Sequence, residues 1–184
     1  MVPCLPTLIV VSGPPGSGKT TLAHALASAV GCPAICRDEI KEGMVHTVPG
    51  FTAGRDDELS RRTNPVFFSV LETLLRAGVT TVAEAAFQDR LWRPGLEPLQ
   101  HLARIRLLHC TVGPEVAFQR SLGRSARDQR RRAHPDPGPS DADEYLQRLR
   151  AFDRVALDAP SASVDTTDGY RPALSDIVAF ISRP

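Results

Sequence analysis

The chain has 184 residues, a net charge of +1 at pH 7, 42% hydrophobic and 23% charged residues. That length and balance fit one domain over residues 1–184 with a buried core, and exclude a disordered or fibrous chain. A net charge so near zero gives no global field to attract nucleic acid, and no apolar run approaches the roughly 20 residues that span a membrane.

Residues 1–6 lack a basic region followed by a long apolar one, so the sequence predicts a cytoplasmic protein without a secretory signal. Of the four cysteines, Cys32 and Cys36 have no second close Cys or His pair to complete a zinc set. Cys110 falls in an expected core strand. Reduced, structural thiols are the expectation.

Residues 7–12, Thr-Leu-Ile-Val-Val-Ser, read as a buried strand. Gly13-Pro14-Pro15-Gly16-Ser17-Gly18-Lys19-Thr20 follows and fits the phosphate-loop pattern G-x-x-x-x-G-K-[ST]. Thr21 opens an Ala- and Leu-rich helix with Leu22, Leu26 and Val30 on one face, and Gly31 stops it. The chemistry explains the residue types. Glycines let backbone N–H groups converge on an anion without a Cβ in the way. The helix N-terminus adds its partial positive charge to the same point. Lys19 can reach the outer phosphates, and the Thr20 hydroxyl can ligate Mg²⁺. The expected nucleotide-binding set is therefore residues 13–21, with ATP and Mg²⁺ as cofactors.

Residues 33–36 read as a second strand, ending in a helix start with Asp38 at its N-cap. Residues 48–55 form a loop. Apolar residues then recur at helical spacing from Leu59 to Leu75, but Pro65 should break the pattern, leaving a helix mainly over 64–76. Residues 79–85 are a third strand carrying Glu84, and 91–103 a helical stretch interrupted at Pro94 and Pro98. Residues 104–112 are a fourth strand. Pro114 suits the first turn of a helix running from 115 to about 122. An Arg-rich run reaches Arg132, and 133–140, with three prolines and a glycine, is loop. Helix 141–152, strand 161–167 and helix 172–182 complete the chain. Strands alternating with helices predict an α/β fold: a five-stranded parallel sheet in a three-layer P-loop NTPase arrangement, with ligands at the carboxyl ends of the strands. Residues 120–141 are the expected lid, closing when ATP binds.

The segments GPPGSGKTTLA (13–23), RDEIKEGM (37–44), VAEAAF (82–87), PEVAFQRSLGR (114–124) and VDTT (164–167) together resemble the small P-loop kinases. That group includes chloramphenicol phosphotransferase, zeta-toxin-type sugar-nucleotide kinases and the 5′-kinase domain of polynucleotide kinases. The resemblance covers nearly the whole chain and implies an ATP-dependent phosphotransferase with an alcohol acceptor, without choosing that acceptor.

It also implies roles. Asp38 stands where such kinases place the carboxylate that accepts the acceptor's hydroxyl proton; its alternative is the helix cap. Lys41, three positions on, is either an acceptor contact or a solvated charge, and Arg37 is read as solvated. Glu84 stands where a carboxylate orients the Mg²⁺ shell, or else contacts the acceptor; similar kinases often have Asp there. Arg120 and Arg124 match a pattern in which one Arg lies on the adenine and another reaches the phosphates. Lys19, Asp38, Arg120 and Arg124 are thus the catalytic candidates. Arg127, Arg130, Arg131 and Arg132 continue the basic run. His134 is expected to be exposed. Phe51, Phe67, Phe87 and Trp92 are suggested as the acceptor pocket's walls.

The leading expectation is a kinase acting on a small-molecule hydroxyl. Two rivals stay open: a polynucleotide 5′-hydroxyl kinase, disfavoured because the Arg run lacks base-stacking aromatics, and a nucleotide-dependent switch protein.

Overall fold

Strand β1 (Thr7–Ser12) is buried along its whole length and occupies the centre of a five-stranded sheet. The computed structural model describes residues 4–54, 57–125, 133–134 and 141–183. β2 (Ala34–Cys36), β3 (Thr81–Ala85), β4 (Arg104–Thr111) and β5 (Ser161–Asp165) join β1 in the order β2-β3-β1-β4-β5. Every pairing between neighbours is parallel, as the alternation of strands and helices predicts.

The pleat of β1 divides the core in two. Leu8 and Val10 face α3 (Glu58–Arg76) and α4 (Asp89–Leu96), where Phe67, Leu71, Phe87, Trp92 and Leu96 fill the layer. Ile9 and Val11 face α1 (Lys19–Val30) and α7 (Leu174–Ile181). α5 (Pro114–Ser125) and α6 (Ala142–Arg150) pack on each other through Phe118 and Tyr145 near the end of β4. Among the described residues no helix is long and apolar enough to cross a membrane.

Several local expectations change. α3 begins at Glu58 and passes through Pro65 without ending. A proline inside a helix costs about 3 kcal/mol, and tertiary fastening offsets it. Asp57 caps the helix, accepting from Ser60 N at 2.7 Å. Arg37 grips the turn before the proline, donating from Nη2 to Ser60 O (3.0 Å) and from Nε to Asn64 Oδ1 (3.1 Å). Arg37 is therefore a strut between α2 (Arg37–Val45) and α3 rather than a solvated charge. Phe67, Phe87 and Trp92 are core residues, ring against ring with Phe68, not pocket walls. Pro94 lies inside α4, and Pro98 begins a 3₁₀ turn over Glu97–His101.

Lys41 is 1% exposed. Its Nζ lies 2.7 Å from Asp57 Oδ2 and 5.6 Å from the centre of the Phe51 ring. Asp57 also accepts from Gly54 N at 3.1 Å. Burial works to raise the Asp57 carboxyl, but the Lys41 contact and the Ser60 and Gly54 amides outweigh it and hold it at about 2. Breaking one side of such a pair costs about 3–5 kcal/mol when the other is left charged and dry. Asp57→Ala, which strands Lys41 and uncaps α3, should lose about that much in urea unfolding. Lys41→Met should lose less, because Asp57 keeps its two amide donors. Asp57 binds its proton less readily when folded, so its contribution is present above about pH 4 and is lost as pH falls through about 2. Asp57→Asn should flatten that acid limb of the stability curve.

Candidate active site

The strand-to-helix turn between β1 and α1 forms a cradle. Gly16 and Gly18 adopt left-handed backbone conformations, with φ of 78° and 73°. A Cβ on Gly16 would lie 2.3 Å from the carbonyl oxygen of Ala117, so only glycine lets the loop press against α5. Two braces fix the loop from outside. Tyr145 Oη donates to Pro15 O at 3.0 Å, and Thr166 Oγ1 donates to Ser17 O at 2.7 Å. Ser17 Oγ is buried and has no hydrogen-bonding partner among the described residues. An unpaired polar atom beside a glycine-lined hollow at a helix N-terminus fits an anion such as a phosphate.

Lys19 and Thr20 converge on Glu84, which lies next to the end of β3 beside Cys36 and is 2% exposed. Lys19 Nζ lies 3.5 Å from Glu84 Oε1, and Thr20 Oγ1 donates to Oε2 at 3.2 Å. Burial pushes the Glu84 carboxyl up; Asp38 adds to the push, while Lys19 and Thr20 restrain it. A hydroxyl and a carboxylate oxygen side by side under the loop are hard donors suited to Mg²⁺.

Asp38 lies in the first turn of α2, one residue inside the helix; Cys36, not Asp38, holds the N-cap position, and no side chain caps it. The carboxylate is thus released from capping. Protein crowds it, yet 43% of its side chain stays open. Burial acts to raise its pKa, but His134, Lys19 and Arg37 prevail and hold it at about 2. Arg37 Nη1 donates to Asp38 Oδ1 at 3.1 Å. His134 was expected to be exposed, but its side chain is 8% exposed, with Nδ1 4.0 Å from Asp38 Oδ2 and Nε2 3.2 Å from Glu42 Oε1.

On the far side of the loop a cavity of about 950 Å³ opens between α1, α5 and the loop after β5. Gly18, Thr21, Gln119, Arg120, Arg124 and Tyr170 are among its walls. Arg120 Nη2 donates to Thr166 O (2.9 Å) and Thr167 O (2.8 Å), which holds its guanidinium over this space. Arg124 leans on Ser121 Oγ at 3.5 Å.

The structure therefore brings Lys19, Thr20, Asp38 and Glu84 together, and puts Arg120, Arg124 and Thr21 on an adjoining cavity. It does not bring Lys41 to the group; that ammonium is committed to Asp57. Arg127, Arg130, Arg131, Arg132 and most of the expected lid lie outside the described residues.

A family model described as an AAA domain matches residues 8–152. The chain belongs to this AAA-domain family. No curated protein sequence matches it. Among solved structures, a candidate kinase from Chloroflexus aurantiacus J-10-fl is 25% identical, with 97% of each chain covered and a TM-score of 0.84. Kti12 of Chaetomium thermophilum, solved with ADP-AlF3, superposes with a TM-score of 0.65 at 18% identity, over 97% of this chain and 100% of that one. Shikimate kinase from Acinetobacter baumannii, solved with shikimate, gives 0.56 at 21% identity over 97% and 92%. The architecture of this AAA-domain protein is that of the small P-loop kinases, a fold that implies nucleotide binding.

Tyr145, Thr166 and the buried His134 escape a reading of the sequence. Thr166 falls within the VDTT segment, but nothing in that segment announces a bond to residue 17. Tyr145 acts across 130 residues. Gly16→Ala adds both left-handed strain and a clash with Ala117 O. It should weaken binding of a fluorescent ATP analogue at least tenfold, about 1.4 kcal/mol. Gly43→Ala, where a Cβ meets nothing within 4 Å, should leave the affinity unchanged.

Proposed function

We propose that this AAA-domain protein is an ATP- and Mg²⁺-dependent kinase that transfers the γ-phosphate to a hydroxyl of a small-molecule acceptor. One observation carries the reading: a carboxylate 43% open, Asp38, is held by Arg37 Nη1 at 3.1 Å beside the phosphate loop, near enough for Lys19 to help keep it ionised and for it to push the Glu84 carboxyl up. Nucleotide binding alone needs no such acid beside the loop. The kinases among the solved structures of this fold support the same reaction class.

In this reading the cradle amides grip the β- and γ-phosphates, and Lys19 leaves Glu84 for the phosphate oxygens. Thr20 and Glu84 are the residues that would hold Mg²⁺ and its waters, and the ion would supply positive charge to offset that of the phosphates. The 950 Å³ cavity takes the nucleoside, with Arg120 and Arg124 against the base or the phosphates. Asp38 accepts a hydrogen bond from the acceptor hydroxyl and aims its oxygen at phosphorus.

A carboxylate held near pKa 2 is a weak base. That suits phosphoryl transfer, whose loose transition state draws little on the nucleophile before the phosphorus–oxygen bond to the leaving group is mostly broken. Orientation is then the main service of Asp38, with the proton moving late. His134 and Arg37 hold the carboxylate charged and pointed.

Acceptors can be screened with ATP and Mg²⁺ by ³¹P NMR, scoring a new phosphate-ester resonance. Lys19→Ala should abolish transfer. Asp38→Asn should cut kcat by about 10²–10⁴-fold, the range for a positioned proton acceptor, and leave ATP-analogue affinity within a few-fold. Full turnover in Asp38→Asn beside a dead Lys19→Ala would sink the role given to Asp38.

A further inference from the structure

We propose that His24, Cys36 and Glu39 form a binding site for a zinc-class divalent cation, on the outer side of α1 and α2. It adjoins the nucleotide site where the Cys36 thiol meets the Glu84 carboxyl. Two residues of the trio come from the β2–α2 junction. Cys36 holds the N-cap position of α2 and Glu39 lies one turn in, so its side chain reaches back toward Cys36. The third, His24, comes from the middle of α1. His24 Nε2 lies 2.7 Å from Glu39 Oε1 and 3.7 Å from Cys36 Sγ, and all three candidate ligand atoms fall within 4.8 Å of one another.

Those separations suit a metal. With Zn–S near 2.3 Å and Zn–N and Zn–O of about 2.0–2.2 Å, tetrahedral ligand atoms stand roughly 3.3–3.6 Å apart. Sγ and Nε2 are already at that spacing. Nε2 and Oε1 must part by about 0.6 Å to reach it. Both belong to side chains half open to solvent, 51% and 42% exposed, so the shift meets no packed neighbour and the ion has a path in.

The donor set selects the ion. One soft sulfur, one imidazole and one carboxylate favour Zn²⁺ over Mg²⁺ or Ca²⁺, which take oxygen. Burial and the Glu84 and Glu39 carboxylates favour the protonated Cys36 thiol, so the ion must displace that proton to solvent; Zn²⁺ then balances the thiolate and the Glu39 carboxylate, with the imidazole neutral. Three protein ligands leave the fourth position to water. The sulfur of Cys36, a residue 2% exposed, lies between the Glu84 carboxyl on its inner side and the His24–Glu39 pair on its outer side, 3.7 Å from the imidazole nitrogen. The bound ion would tie α1, β2 and α2 at one point.

The test uses the full chain without nucleotide, in excess Mg²⁺. Titration with Zn²⁺ followed by calorimetry should give one equivalent bound at micromolar concentration, and Zn²⁺ should raise the melting temperature. Cd²⁺ should give an ultraviolet thiolate-to-metal charge-transfer band. Both signals should survive Cys4→Ser and Cys32→Ser and vanish in Cys36→Ser. His24→Ala and Glu39→Gln, at exposed positions, should each weaken Zn²⁺ binding at least tenfold and decide the matter if Cys36→Ser does not fold. Absence of stoichiometric binding, a band that persists without Cys36, or unchanged affinity in both exposed variants would overturn the site. None of these readouts involves phosphate transfer, so this site and the proposed kinase reaction stand or fall separately.

Discussion

The arrangement of the candidate site rests on how the turn between β1 and α1 is clamped. Backbone N–H groups hold an anion well only if they already point at it, since each one that must be reoriented spends part of what the contact returns. Here three distant segments impose the shape. Ala117 of α5 presses its carbonyl into the space a Cβ on Gly16 would need, Tyr145 of α6 binds Pro15 O, and Thr166 beyond β5 binds Ser17 O. Each hydrogen bond contributes only about 0.5–1.5 kcal/mol net. Their worth lies in geometry: the loop is held at both flanks while its hollow and Ser17 Oγ are left for a ligand.

Around that loop two carboxylates are pushed to opposite sides of the ordinary range. Glu84 is buried and drifts up; Asp38 is partly open, ringed by Lys19, Arg37 and His134, and drifts down. Neighbouring acids with divergent environments are how a site assigns separate tasks to similar groups. Glu84 stays paired with the loop's own Lys19 and Thr20. Asp38 keeps an open face toward an incoming group. In the proposed reaction, Lys19 is the group that would turn from Glu84 to the phosphates.

The sheet and the phosphate loop were legible because their physics is local. β-branched runs, the Gly–Lys–Thr spacing and the Leu22–Leu26 stripe each dictate structure within a few residues, and strands alternating with helices give the parallel sense; the strand order, with β3 between β1 and β2, is a tertiary outcome. Asp38 and Glu84 were legible through resemblance rather than through spacing. What misled was locally correct and globally overruled. Pro65 should stop a helix, but Asp57 and Arg37 hold the turns on its N-terminal side. Lys41 follows Asp38 by three positions and was read toward the ligand; the Asp57 carboxylate, sixteen residues on, captures it instead. Phe67, Phe87 and Trp92 went to the core, and Phe51 to the Lys41 ammonium. His134 and Tyr145 could not be read at all, because their partners are 92 and 130 residues away in the chain.

These long-range fastenings bear on which acceptor a site of this kind admits. α2 has only nine residues, too few to be stable alone, so the direction of Asp38 is a tertiary outcome. It is set on one side by Arg37 gripping Ser60 and Asn64, and on the other by Lys41 locked to Asp57. Both anchors belong to α3 and the approach to it. The phosphate loop is braced by α5, α6 and the end of β5; Asp38 is anchored through α3 on one side and faces His134 and Lys19 on the other. In the proposed reaction, a change in the connection between α2 and α3 would alter the reach of Asp38 toward an acceptor while the braces on the phosphate loop stayed in place. Supports divided in this way give a physical reason why a scaffold of this kind would accommodate different acceptors.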